Sequence, residues 1–457
     1  MKKDRTQELE TGSIKSLLWT YALPAVITQI IASIYNIADR IFIGQGVGPL
    51  AISGLVITLP VINAIHALGS LVGVGSAARM SIVLGRKDIN WAENILGNSL
   101  LLTFFFGMVF LSGGYAFMDK VLILFGATDQ TISYAREYML IVLPGMFFTT
   151  LTFNLTGLIR ATGYPMRSMY IMVSGALLNM ILDPIFIYVF DAGIAGAAWA
   201  TTISMATTSV LAVAHFISPS SFIRFRSHAW KPRFYIFKNI LLIGMSPFLM
   251  NLAASAVVAL LNTQVIRYAG DLGVGALGIV NTFTSLLCMV MIGICQGMQP
   301  IAGYNYGAGR PGRLKEVFML TMKVNVLLGL AGSVLCLAFP RLLVRAFTAD
   351  AELLEVSAFA LPFLLVMAPL IGFTITNSNF FQSIDKPWIA IVTSLSRQVL
   401  FLAPLCILIP KLFISMGWGD GMAGVCASAT ISDALGAVLA GILLLTQLKV
   451  FKEKGRE

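Results

Sequence analysis

Two aspartates stand where an ionised carboxylate is hard to keep. Asp39 lies in Tyr35-Asn-Ile-Ala-Asp39-Arg-Ile-Phe-Ile-Gly44, directly after a run from Leu17 to Ala38 that carries no formal charge. As a helix rising roughly 1.5 Å per residue, that run is about 33 Å long, enough to cross a hydrocarbon core. Asp183 lies in Asn179-Met-Ile-Leu-Asp183-Pro184, and its flanks, Met169 to Leu182 and Ile185 to Phe190, are also free of charge. A carboxylate at membrane depth is costly unless it faces a wet cavity or a partner, so both are candidates for ion exchange. Asn179 and Asp183 are four residues apart and share one helix face. Pro184 has no N–H for the Met180 carbonyl and crowds it. A carboxylate, an amide and a loose carbonyl together suit a cation. Blander readings stand beside these. Asp39 could be a headgroup-level carboxylate neutralised by Arg40, although adjacent residues on a helix do not face each other. Asp183 could cap a new helix with Pro184 at its first position, against which the unbroken apolar flanks argue.

Further polar residues fall at the same depth: Tyr35, Asn36, Asn154, Thr156, Thr201 and Thr202 early in the chain, and Asn262, Gln264, Asn281, Gln296, Gln299, Asn377 and Asn379 later. They are candidates to line a cavity. Many such residues only tie helices together, each pair worth about 0.6 kcal/mol in a membrane. The 21 Met and 30 Phe are compatible with an adaptable chamber, and equally with ordinary core and lipid-facing packing.

The elements that must position these groups are spanning helices. The chain is 57% hydrophobic and only 11% charged, where soluble domains carry roughly 25% charged residues. Apolar runs of spanning length fall at about 14 to 44, 48 to 75, 93 to 117, 131 to 158, 165 to 190, 194 to 217, 234 to 267, 273 to 302, 314 to 340, 351 to 381, 387 to 415 and 421 to 449. They predict an all-α integral membrane protein of twelve transmembrane helices. A membrane barrel would show short alternating segments instead. The first run has no small-residue cleavage site after it and reads as a span rather than a secretory signal. With the amino end inside, 24 Lys and Arg fall on the cytoplasmic side and seven outside. Lys2, Lys3, Arg5, Lys323, Arg397, Lys449, Lys452, Lys454 and Arg456 are counted inside. Both termini are therefore expected in the cytoplasm, and a prokaryotic cytoplasmic membrane is the expected location. The formal charge of +10 is explained by positive-inside loops and anionic lipid, so no nucleic acid partner is implied. A monomer is expected.

Catalytic and cofactor signals are missing from the sequence. Cys288, Cys295, Cys336, Cys406 and Cys426 all fall in predicted spans without a Cys-x-x-Cys, as buried reduced thiols do. His66, His215 and His228 have no ligand-spaced companions. No Ser/His/Asp set and no phosphate loop occurs, so the chain reads as no enzyme and as using no cofactor beyond an ion gradient. A channel is disfavoured by the lack of a filter-like motif.

The chain repeats itself. Between Ser218 and Lys238 it is polar and basic, with no acidic residue, and 219–233 reads as a cytoplasmic linker between residues 1–218 and 234–457. At an offset of about 223, Pro24 falls on Pro247, and Gly54, Gly73, Gly85 and Arg86 fall on Gly278, Gly297, Gly309 and Arg310. Pro165 falls on Pro387, and Gly193-Ile-Ala-Gly196 matches Gly421-Met-Ala-Gly424. Six spans per half implies two six-helix bundles related by a pseudo-two-fold axis along the membrane normal, as in transporters. Asp39 meets Asn262 and Asp183 meets Ala403, which confines acids at membrane depth to the first half. If H+ or Na+ couples the cycle, it should bind to Asp39, Asp183 and Asn179 in the first half. With Na+ those three side chains would be its metal ligands.

With those residues in view, the chain resembles the multidrug and toxic compound extrusion (MATE) family over nearly its whole length. The resemblance is carried by Tyr35 to Gly44, by Gly73-Val-Gly75 with Gly85-Arg86-Lys87, by Asn154 to Pro165, by Asn179 to Pro184, and by Gln296-Gly-Met-Gln-Pro300-Ile-Ala-Gly-Tyr-Asn305-Tyr-Gly-Ala308. It implies a V-shaped pair of bundles that exports cationic amphipathic drugs or metabolites in exchange for H+ or Na+. It also implies Asp39 and Asp183 as coupling carboxylates, with Tyr35, Asn154, Asn179 and Thr201 lining the pocket. Some members carry a Glu in the seventh span and an Asp in the tenth, whereas Ser246 to Arg267 and Phe359 to Ser383 hold no acid here. The sequence thus looks like the branch with carboxylates in the first half. The alternative is a lipid-linked saccharide flippase of a related group. A pyrophosphate headgroup would call for cations mid-helix, and here Lys and Arg read as lying at span ends.

Overall fold

The computed structural model describes residues 7–447 and 451, and every regular element among them is a helix. In chain order these are α1 Gln7–Thr11, α2 Ile14–Gly46, α3 Pro49–Gly85, α4 Ile89–Leu124, α5 Ile132–Ala161, α6 Pro165–Pro184 and α7 Gly193–Ile217. There follow α8 Phe234–Gly307, α9 Pro311–Ala338, α10 Pro340–Arg345, α11 Ala351–Leu365, α12 Ala368–Ser383, α13 Pro387–Leu395, α14 Ala403–Met416 and α15 Gly421–Thr446. Lys2, Lys3, Arg5, Lys449, Lys452, Lys454 and Arg456, counted above for orientation, lie outside the described residues.

Local chemistry sets the starts. Proline opens α3, α6, α9 and α13, where its missing N–H costs nothing. The carboxylates of Asp88, Asp350 and Asp420 accept from the backbone N–H groups of Trp91, Leu353 and Ala423 at 2.9, 2.8 and 2.8 Å, capping α4, α11 and α15.

Among the described residues, ten helices are long and apolar enough to cross a bilayer when α8 is counted once. Gly270, at φ 61° and ψ −159°, interrupts α8 in a conformation that side chains resist, so α8 is two spans. The helices α11 and α12 meet at 47° and together make one more. The twelve spans predicted from the apolar runs are therefore present.

Cα packing divides the chain into two compact units. One holds Leu23–Phe248, Gly303–Ala308 and the described residues up to Ser13; the other holds Ile14–Ala22, Leu249–Ala302 and the described residues from Gly309 onward. The first packs around Ile43, Leu55, Val142, Leu143 and Ile187, and the second around Val265, Val280, Leu361, Leu365 and Val425. Within the first unit, the segment joining the repeats is laid on α4. Asn98 donates from Nδ2 to the carbonyls of Ala229 (3.3 Å) and Lys231 (3.1 Å), and its Oδ1 accepts from the Arg233 N–H at 2.8 Å. The buried Glu93 carboxylate meets Arg226 at 3.5 Å and His228 at 3.3 Å.

Backbone landmarks adjust the register of the repeat. The left-handed residues Gly48, Lys87 and Gly163 correspond to Gly270, Gly309 and Asp385 at an offset of 222. Gly85 therefore matches Gly307, at the ends of α3 and α8, and not Gly309. The offset is 223 at Pro24 and Pro247, so Asp39 corresponds to Asn262 or to its neighbour Leu261, both uncharged. Each repeat also carries one π-helical segment, Ile185–Val189 after α6 and Ser396–Leu402 before α14. Such wide turns recur where a helix is adapted to function.

Candidate functional site

In the first unit, α2, α3, α5, α6 and α7 surround a cavity of about 120 Å³. Tyr35, Asn179 and Thr201 line it, with Phe153, Met172 and Met205 among its apolar walls. Each carboxylate sits one helical turn beyond a lining residue, Asp39 after Tyr35 and Asp183 after Asn179. Asn179 spans the gap between α6 and α7. Its Nδ2 donates to Asp183 Oδ1 at 3.3 Å and to Thr201 Oγ1 at 3.4 Å. Asp183 is fully buried, and the helix runs through it into the π-segment, so it does not cap a new helix.

Three buried oxygens here have no hydrogen-bond partner: Asp39 Oδ1, Asp183 Oδ2 and Asn179 Oδ1. Buried acceptors are normally satisfied, so three orphans of one polarity describe a place that accepts donors or cations. Asp39 and Asp183 are also close enough to act on each other electrostatically. The arrangement can hold a proton or a small cation. The apolar and aromatic walls can hold the body of a larger one.

A MatE family profile matches this chain twice, over residues 24–185 and 247–408. The chain belongs to the MatE family. It is 27% identical over 446 residues to the multidrug export protein MepA of Staphylococcus aureus strain MSSA476, covering 97% of this chain and 96% of that one. Among solved structures, an outward-facing multidrug resistance MATE family transporter of the MOP superfamily superposes with a TM-score of 0.90, at 25% identity and 98% coverage of both chains. A MOP superfamily transporter from Pyrococcus furiosus shares the fold, with a TM-score of 0.90, 24% identity and full coverage of both. The chain is thus a MATE-family membrane transporter, and its profile repeats once per half.

The other residues singled out in the sequence are placed differently in this MATE protein. Asn154 is fully buried in a tie between helices: it accepts from Ser76 Oγ at 2.7 Å and donates to Thr103 Oγ1 at 3.1 Å. Thr156 donates to the Thr152 carbonyl at 2.8 Å, and Thr202 to the Ile141 carbonyl at 2.9 Å. Asn36 is exposed and donates to the Ala32 carbonyl at 2.7 Å. Asn262, Gln296, Gln299 and Asn377 belong to the second unit. There Asn262 and Gln296 are half-buried, Gln299 is buried, and Asn377 donates to the Phe373 carbonyl at 2.9 Å while its Oδ1 has no partner.

Residue type alone left several cavity residues unnoticed. His66, Ser204 and Thr208 face the cavity, and the buried Tyr138 stands beside Thr201 and within electrostatic reach of both carboxylates. His66 is the only charge-capable residue of α3 before Arg79, which was the available signal.

Two expectations are overturned in the second unit. Acids at membrane depth are not confined to the first half, because the buried Asp433 lies midway along α15. Arg397, counted as cytoplasmic, lies inside the span Pro387–Met416, where its Nη1 donates to Asp433 Oδ1 at 2.8 Å. Lys323, counted with it, is an exposed residue within α9. Cations are therefore not restricted to span ends, although the mid-span guanidinium is neutralised by its own carboxylate.

Proposed function

We propose that the protein is a secondary antiporter that exports cationic amphipathic drugs or metabolites in exchange for H+ or Na+ by alternating access. The observation that carries this reading is the set of unpartnered oxygens on Asp39, Asp183 and Asn179 beside an apolar cavity. An organic cation in that cavity and a coupling ion compete for the same two carboxylates. Mutual exclusion of the two is what antiport requires. The substrate class is supported by the multidrug export relatives. In this reading residues 1–218 couple to the ion, 219–233 tether the halves on the cytoplasmic side, and 234–457 form the counterpart lobe. Both termini face the cytoplasm, the membrane is a prokaryotic cytoplasmic membrane, and the working unit is a monomer without cofactor or nucleic acid.

Proteoliposomes loaded with ethidium test the reading. An imposed pH gradient, an imposed sodium gradient, or both should drive ethidium out faster than in protein-free vesicles, and a comparison of two pH values in sodium-free buffer identifies the ion. Ethidium retention together with flipping of a labelled lipid-linked sugar would instead establish the flippase alternative.

A further inference from the structure

We propose that Arg397 is a tethered cation that occupies the second half's counterpart of the first-half cavity and keeps Asp433 closed to cations from outside. Its functional meaning rests on the first-half cavity being the cation site proposed above.

The pair is built into the fold. The Arg397 side chain is 24% exposed and that of Asp433 only 7%. The Ser432 hydroxyl donates to the Arg397 carbonyl. Gly436 lies against the arginine stem, where a Cβ would come within 3.2 Å of Arg397 Cβ. Two charges at mid-span are costly in a membrane and by default mark a working site.

Internal correspondence says which site. The offset of 222 that relates Pro165 to Pro387 brings Gly175 onto Arg397. The offset of 228 that relates Gly193 to Gly421 brings Ser204, Met205 and Thr208 onto Ser432, Asp433 and Gly436. The contacts agree with this alignment. A Cβ on Gly175 would meet Thr208 Cγ2 at 2.2 Å, and in the second half Arg397 touches Gly436. The same two positions meet in both halves, with the small and large residues exchanged. In the first half, Gly175, Ser204, Met205 and Thr208 are walls of the cavity. In the second half, the guanidinium stands at that place with its own carboxylate beside it.

The consequence is asymmetry. A cation from solution must displace one that is held on the chain at an effective concentration on the order of millimolar or above. The first half offers open carboxylates, and the second offers one that is already filled.

Equilibrium dialysis on the purified, lipid-reconstituted full chain tests this with two probes, ethylguanidinium and tetramethylammonium. Tetramethylammonium cannot donate hydrogen bonds and so cannot rebuild a salt bridge. Arg397→Ala should bind one more of either cation per chain than the wild type. The added site should vanish in Arg397→Ala/Asp433→Asn and persist when Asp39→Asn and Asp183→Asn are combined with Arg397→Ala. That last result reads the second site independently of first-half coupling. A gain of ethylguanidinium binding alone would show a merely structural pair and overturn the proposal, as would no gain at all, or a gain that survives Asp433→Asn. Should Arg397→Ala not fold, Arg397→Gln serves in its place. Failure of both to fold in saturating ethylguanidinium would also overturn it, because no external cation could then replace the tethered one.

Discussion

Asp39→Asn and Asp183→Asn, singly and together, are expected to reduce gradient-driven ethidium export to the level of protein-free vesicles while the protein remains folded. Asparagine has nearly the shape of aspartate, and at position 183 its side-chain carbonyl can still accept from Asn179 Nδ2, as Asp183 Oδ1 does at 3.3 Å. What it lacks is a charge to exchange. Asp183 is fully buried with Oδ2 unpartnered, and a neutral amide is cheaper to bury than an unpaired carboxylate. Thermal unfolding of Asp183→Asn should therefore occur at or above the wild-type temperature even as transport is lost. Stability that rises as activity falls is the signature of a strained functional group. Retained gradient-driven export by the double variant would remove both residues from the coupling role.

The second large effect concerns the other half. Asp433→Asn should destabilise the protein by about 3–5 kcal/mol, because it leaves the Arg397 guanidinium without its partner inside a span. Replacing both residues with apolar ones, Arg397→Met with Asp433→Leu, should be close to neutral or stabilising, since the pair's burial cost disappears along with its attraction. Asn98→Ala in α4, which frees the linker carbonyls of Ala229 and Lys231, is a useful yardstick at about 1–3 kcal/mol. Thermal or denaturant unfolding in one lipid composition measures all three. Equal losses for Asp433→Asn and the double apolar variant would mean that the pair is not the isolated buried unit described here.

Much of this was legible in the sequence, for a simple physical reason. A bilayer demands long charge-free helices, so twelve runs of spanning length and a charge inside one of them are visible without coordinates. Asp39 and Asp183 stood out on that basis. Arg397 and Asp433 carried the same signal, Arg397 being the only charge from Pro387 to Pro410 and Asp433 the only one from Gly421 to Leu448. They do not fall at the repeat positions of Asp39 and Asp183, because the second half places its acid elsewhere on the helix pair. That they meet could not be seen, since 36 residues separate them and a π-segment shifts the face on which Arg397 emerges. Residue type likewise does not reveal direction. Thr201 and Thr202 are neighbours, yet one lines the cavity and the other bonds to the Ile141 carbonyl of α5. Asn154 looked like a pocket residue and is a tie between helices whose two polar atoms are both engaged.

The central claim is that one set of first-half oxygens serves the coupling ion and the exported cation in turn. Ion release on substrate binding tests it most directly, measured on purified protein in weakly buffered or ²²Na-containing solution. Addition of an organic cation such as ethidium should release protons or bound sodium from the wild type, and release should be absent from Asp39→Asn/Asp183→Asn. Ethidium binding that releases neither ion from the wild type, or release undiminished in that double variant, would contradict the account.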